Sequence, residues 1–355
     1  MQTKIRAKRS LYLDVIKGLA IFLVVLGHCI QYGSCVSFDK QFYEDPIFKF
    51  IYSFHMPLFM LISGFLFYNS VNRHSWEKNF KSRFTKLVLP IIIWNTLYLI
   101  VIDIYRLFND IPLHIGGQIK SYLIAIWFLW AIFWSSITIL IIRRFCKDQV
   151  LIYILIGILA LFLPSKWGSA LYIYMYPYFI TGYLWNKYHL ESKLHLSNLN
   201  IKVCISFLCV ILFCILYINF TKEDYIYTTG INILKINPEK GLLLDFHQVS
   251  IDLYRYLIGF VGAATILIII NILLIVFKIK EDSYIAVFLS KIGQKTLGIY
   301  IISGYLQQIT LPYLPYREQY GIEIVIIEAI CLTLVSYYLT VLLEKNKFGR
   351  MSLGA

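Results

Sequence analysis

Apolar residues recur in runs of about 20 along nearly the whole 355-residue chain, divided by short polar segments. A coiled run of that length spans roughly 30 Å of hydrocarbon at 1.5 Å per residue. The pattern predicts transmembrane helices near residues 11–31, 47–68, 87–105, 121–142, 150–164, 170–185, 201–220, 253–277, 296–314 and 322–343, the fifth and sixth short. The apolar stretch at residues 284–293 is too short to cross and is expected to lie along the membrane interface. The expected fold class is therefore an all-α integral membrane protein, a bundle of about ten transmembrane helices. One such domain fills residues 1–355, leaving no separate soluble domain.

Composition agrees: 59% hydrophobic and 15% charged residues, with a mean hydropathy of +0.69, are wrong for a surface facing water alone. The net charge of +13 changes the picture in one respect. Its cations form short clusters between the apolar runs, which argues for topology determinants and against nucleic-acid binding. With both termini cytoplasmic, 22 of the 33 Lys and Arg fall on inner segments, among them Lys4, Arg6, Lys8 and Arg9, and 10 on outer ones. The longest loop, residues 221–252, is then outside and carries Glu223, Asp224, Glu239, Asp245 and Asp252. Asp14 and Lys17 interrupt the first apolar run, so it reads as a retained helix and not as a cleaved signal peptide. The seven cysteines lack ligand spacing and read as free thiols, with no metal site.

Candidate chemistry concentrates in that first helix. Asp14, Lys17 and His28 lie in or beside hydrocarbon, where ionisable groups usually face a protein interior or a water-filled cavity. Eleven residues separate Lys17 from His28, which brings them within about 20° of one face and about 16 Å apart in depth. Asp14, three residues before Lys17, can pair with it. Snorkelling to the interface is the purely structural alternative for these charges.

The run LDVIKGLAIFLVVLGH, residues 13–28, resembles the opening signature of the membrane acyltransferase type 3 family. Four more segments match that family in order: FHMPLFMLISGFLF, KSRFTKLVLPIIIW, AIWFLWAIFW and KIGQKTLGIYII. Two positions depart, since Lys17 stands where Arg is common and Ser303 where a late His is common. The resemblance implies transfer of an acyl group, often acetyl, from cytoplasmic acyl-CoA to a glycan or lipid-linked saccharide, in a bacterial inner or plasma membrane. Acyl-CoA would be a donor substrate, acetyl-CoA for an acetyl group, and no cofactor is bound. His28 suits the role of general base, its imidazole being ordinarily neutral at physiological pH, and equally that of a nucleophile carrying the acyl group. Lys81, Arg83 and Lys86, just before the third span, are candidate contacts for CoA phosphates, with Lys17 at the same end.

His55, at the depth of His28, is a candidate acceptor-side residue, as is Glu328 within the last span. Trp127, Trp130 and Trp134 form a stripe on one helix, and Trp127 and Trp130 are candidates for stacking on a sugar. Ser63 and Gly64 are expected to permit close helix packing. A transporter or flippase of lipid-linked saccharides is the rival reading, because intramembrane Asp, Lys and His also serve proton-coupled transport.

Overall fold

The computed structural model describes residues 10–34, 41–112, 115–164, 166–193, 198–237, 241–277, 283–311 and 321–355. Lys4, Arg6, Lys8, Arg9 and Glu239 lie outside the described residues. The helices in chain order are α1 Leu11–Cys29, α2 Pro46–Arg73, α3 Trp76–Arg83, α4 Leu89–Phe108, α5 Ile115–Ile124, α6 Trp127–Phe145, α7 Val150–Ala160 and α8 Ser169–Lys187. They continue with α9 Leu190–Lys193, α10 Leu199–Asn219, α11 Ile226–Thr229, α12 Phe246–Val276, α13 Tyr284–Gln294, α14 Thr296–Thr310, α15 Ile322–Leu343 and α16 Lys347–Ser352. Two strands, β1 Leu234–Asn237 and β2 Gly241–Leu244, pair antiparallel with Leu234 opposite Leu244.

Local chemistry sets the helix starts. Ser10 caps α1, and Asp45 caps α2 by accepting from the backbone N–H groups of Ile47 at 2.9 Å and Phe48 at 2.8 Å, with Pro46 at the first helical position. α1 lies at the centre, against α2, α13, α14 and α15, while α2 runs along α8 and α12. Glycine lets these backbones touch: a Cβ on Gly64 would strike the Phe179 carbonyl, and one on Gly18 the Leu289 carbonyl. Outward faces carry exposed Leu107, Leu155, Phe207 and Leu253, a surface suited to hydrocarbon.

Seven helical stretches among the described residues are long and apolar enough to cross a membrane, or eight if the bent pair α13–α14 is one span. The expected spans at 150–164 and 170–185 fall short for different reasons. α7 has only 11 residues, and α8 is long but carries Tyr174, Tyr176, Tyr178 and Tyr183, all buried inside the bundle. Residues 284–293, expected to be too short to cross, form α13, which packs on α1 and meets α14 at 75°. The third span also starts earlier than its apolar pattern shows. α3 continues through a π-helical turn, Phe84–Val88, into α4, so Lys81, Arg83 and Lys86 sit on the helix itself. α12 likewise begins at Phe246, which takes Asp252 out of the expected loop and buries it.

Candidate functional site

Lys17, Ile21, Val24 and His28 succeed one another at four, three and four residues, one stripe along α1, and that stripe lines two cavities. The first, about 280 Å³, has Lys17, Ile21, Val24, Arg83, Phe128 and Tyr300 among its walls. The second, about 270 Å³, is walled by Val24, His28, Tyr52, Trp127, Tyr300 and Ser303 among others. Val24 and Tyr300 belong to both, so the cavities lie end to end along α1.

At one end, Lys17 Nζ lies 2.7 Å from Asp14 Oδ1, and Asp14 is buried against α13. This pairing lowers the cost of both charges but leaves a cation at the cavity wall. Arg83 faces the same space, its guanidinium 4.5 Å from the Phe67 ring centre and its Nη2 donating to Ser70 Oγ at 3.4 Å. Its Nε is buried without a hydrogen-bond partner among the described residues. Lys81 and Lys86 are exposed and do not line the cavity.

At the other end, His28 is half-buried, with Nδ1 3.2 Å from Gln31 Oε1 and the ring stacked 6.1 Å from Tyr32. An amide oxygen only accepts, so this contact keeps the proton on Nδ1 and leaves the Nε2 lone pair available. A π-helical turn, Ile30–Ser34, follows at once, as another follows Arg83. Such turns shift side chains out of regular helical phase and are common at functional sites. Tyr43, in the short loop helix before α2, lines the same cavity; burial raises its phenol above the ordinary value, keeping it a neutral hydrogen-bonding group.

The other expected residues separate. Trp127 lines the His28 cavity, and Ser303, the position where a late His is common, lies in its wall. Trp130 does not reach it and donates Nε1–H to the Tyr122 carbonyl at 2.8 Å. His55 is buried behind the wall, its Nδ1 2.8 Å from the Ile51 carbonyl and its ring 4.6 Å from Tyr52. Glu328 is half-buried on α15 on the Cys29 side and lines neither cavity. His247 and Glu223, 3.9 Å apart, are well exposed and away from both cavities. Sequence reasoning missed Gln31, Tyr32, Tyr52, Tyr227, Tyr300 and Gln308, all on the His28 cavity. The 28 tyrosines of the chain were the available signal, but nothing marked which of them converge.

A family model for the type 3 acyltransferase domain matches residues 10–345. A nodulation protein, NolL, of Mesorhizobium japonicum is 28% identical over 307 residues, covering 83% of this chain and 76% of the relative. NolL of Sinorhizobium fredii is 26% identical over 309 residues, covering 85% and 79%. No solved structure matches significantly. With a family match over nearly its full length and a bundle of apolar helices around the Lys17–His28 stripe, this chain belongs to the type 3 acyltransferase family and is a multi-pass membrane acyltransferase.

Proposed function

We propose that the protein moves an acyl group, acetyl in the simplest case, from cytoplasmic acyl-CoA to a hydroxyl of a cell-surface glycan or lipid-linked saccharide. One observation carries this reading: a cavity holding Lys17 and Arg83 lies end to end with a cavity holding His28. The cations offer charge to CoA phosphates, with the Arg83 fork suited to bidentate contact. The thiol arm then runs past Val24 and Tyr300 and delivers the thioester toward His28. As general base, His28 Nε2 takes the acceptor O–H proton while the oxygen attacks the thioester carbonyl; the C–S bond breaks and the thiolate leaves. As nucleophile, the same Nε2 attacks the thioester carbonyl, the C–S bond breaks and the thiolate leaves; the acceptor oxygen then attacks the acyl carbon, the N–C bond breaks and the freed Nε2 takes the O–H proton. The aromatic walls of the His28 cavity fit a sugar ring as acceptor.

The orientation that suits this path has an even number of crossings, both termini inside and the His28 end outward. The excess of cations on inner segments supports it. α8 can cross despite its tyrosines because protein shields them from lipid.

The test uses purified protein in liposomes, acetyl-labelled acetyl-CoA, and oligosaccharides released from surface glycans of cells lacking the protein. The wild type should transfer label, and His28→Ala should remain folded yet lose about 100-fold to 10,000-fold in rate. Near wild-type transfer by His28→Ala would sink the mechanism. Mass spectrometry of protein exposed to donor alone distinguishes an acyl-His28 from direct transfer. A saccharide transporter would move the oligosaccharide without consuming the thioester.

A further inference from the structure

Among the described residues, the segment between α10 and α12 carries one residue to the His28 cavity. Tyr227, on the single-turn helix α11, lines that cavity, with its ring 6.2 Å from Tyr52 and 6.4 Å from Trp127. It is 46% exposed, whereas Asp224, Tyr225 and Ile226 just before it are buried. Tyr227 therefore owes its position to the anchoring of its neighbours and little to its own packing.

That anchoring centres on Arg255, which is 2% exposed. Its Nε donates to Asp224 O at 2.8 Å, Nη1 to Gly230 O at 2.7 Å and Asp252 Oδ1 at 2.8 Å, and Nη2 to Thr229 Oγ1 at 2.6 Å and Glu223 O at 3.3 Å. All five guanidinium N–H groups are thus spent, four of them on residues 223–230. Asp252 balances the charge, and Gln248 donates to both Asp252 and Gly230. Asp224 in turn accepts from the Thr221 backbone and hydroxyl. A buried ion pair is an expensive way to secure a surface turn unless the position of the turn matters.

We propose that Arg255 is a positioning residue for the acceptor: it pins residues 221–230 so that Tyr227 forms, with Trp127 and Tyr52, the wall against which the acceptor sugar ring stacks. A sugar ring offers C–H faces to such rings, and a ring already fixed in place binds it without the cost of ordering a loop. The inference rests on the acyl-transfer reading above for its purpose but not for its geometry.

Two measurements test it. In a background with the native cysteines replaced, spin labels at Tyr227→Cys and at Trp134→Cys, an exposed position on α6, should give a narrow distance distribution that broadens in Arg255→Gln. An unchanged distribution overturns the pinning. In the transfer assay with surface oligosaccharides, Tyr227→Ala should raise the acceptor KM about tenfold and leave kcat within about twofold, as loss of one stacked ring implies. Arg255→Gln should do the same, and the double variant should be no worse than about twofold beyond either single one. Loss of kcat at unchanged KM in Tyr227→Ala, or full multiplication of the two effects, overturns the proposal. Because Tyr227 is exposed, its variant stays informative if Arg255→Gln fails to fold. The spin-label measurement needs no substrate, so failure there counts against the clamp alone, whereas absence of transfer by the unmodified protein counts against the acyl-transfer reading alone.

Discussion

Substitution of Gly293 by Ala tests whether the packing of α13 on α1 sets the geometry of the Lys17 end. A Cβ there would fall 2.8 Å from the Asp14 carbonyl carbon and 2.9 Å from the Gly18 nitrogen, and closer still to the Asp14 oxygen. Ordinary contact begins near 3.4 Å, so the carbon contact alone asks for about 0.6 Å of separation and the nearer oxygen for more; the obstacle is backbone, which has no rotamer to yield. Overpacking of this kind costs about 1–3 kcal/mol. The displaced atoms belong to Asp14, whose carboxylate holds Lys17 at 2.7 Å, so the perturbation passes directly to the cation of the donor cavity. Misplacement of about 1 Å can cost about 100-fold in rate, which makes at least about a tenfold loss the expectation here. The assay pairs thermal denaturation of detergent-purified protein with the transfer rate. Gly116→Ala is the control, since a Cβ there meets nothing within 4 Å. If Gly293→Ala melts and transfers like the wild type, the α1–α13 contact does not position the site.

Three further outcomes follow from the cavity geometry and the charge pattern. Arg83→Gln should weaken acetyl-CoA binding about 10-fold to 100-fold by calorimetry, the loss of a charged hydrogen bond, whereas Lys81→Gln and Lys86→Gln, both exposed, should change it less than about threefold. Val24→Phe should obstruct the passage between the cavities, cutting transfer more than about 100-fold while leaving donor affinity within about threefold; parallel loss of donor binding would contradict a passage there. Lys222→Cys should react with a membrane-impermeant maleimide in intact cells and Arg73→Cys only after permeabilisation, and the reverse pattern would invert the proposed topology.

The linear order of residues determined a good deal of this protein. The membrane class follows from runs of about 20 apolar residues, because hydrocarbon thickness sets helix length with little regard to tertiary context. The shared face of Lys17 and His28 follows from the helical repeat alone, and α1 is straight enough to keep it. Five ordered motif matches gave the family. What the order of residues could not decide is which side chains from separate helices meet. Tyr300 reaches Val24 from a segment more than 270 positions away, and only the α13–α14 bend and its packing on α1 bring it there. Arg83 points into the donor cavity while Lys81 and Lys86 point out: Lys81, two residues back on regular α3, stands about 200° away, whereas Lys86 would stand within about 60° of Arg83 on a regular helix but lies in the π-helical turn, which departs from that repeat. Arg255 read as one more outer cation, since its worth lies in carbonyl groups of a loop 25 to 32 residues away. Periodicity fixes the face a residue occupies on its own helix; what stands opposite that face is a property of the packed bundle.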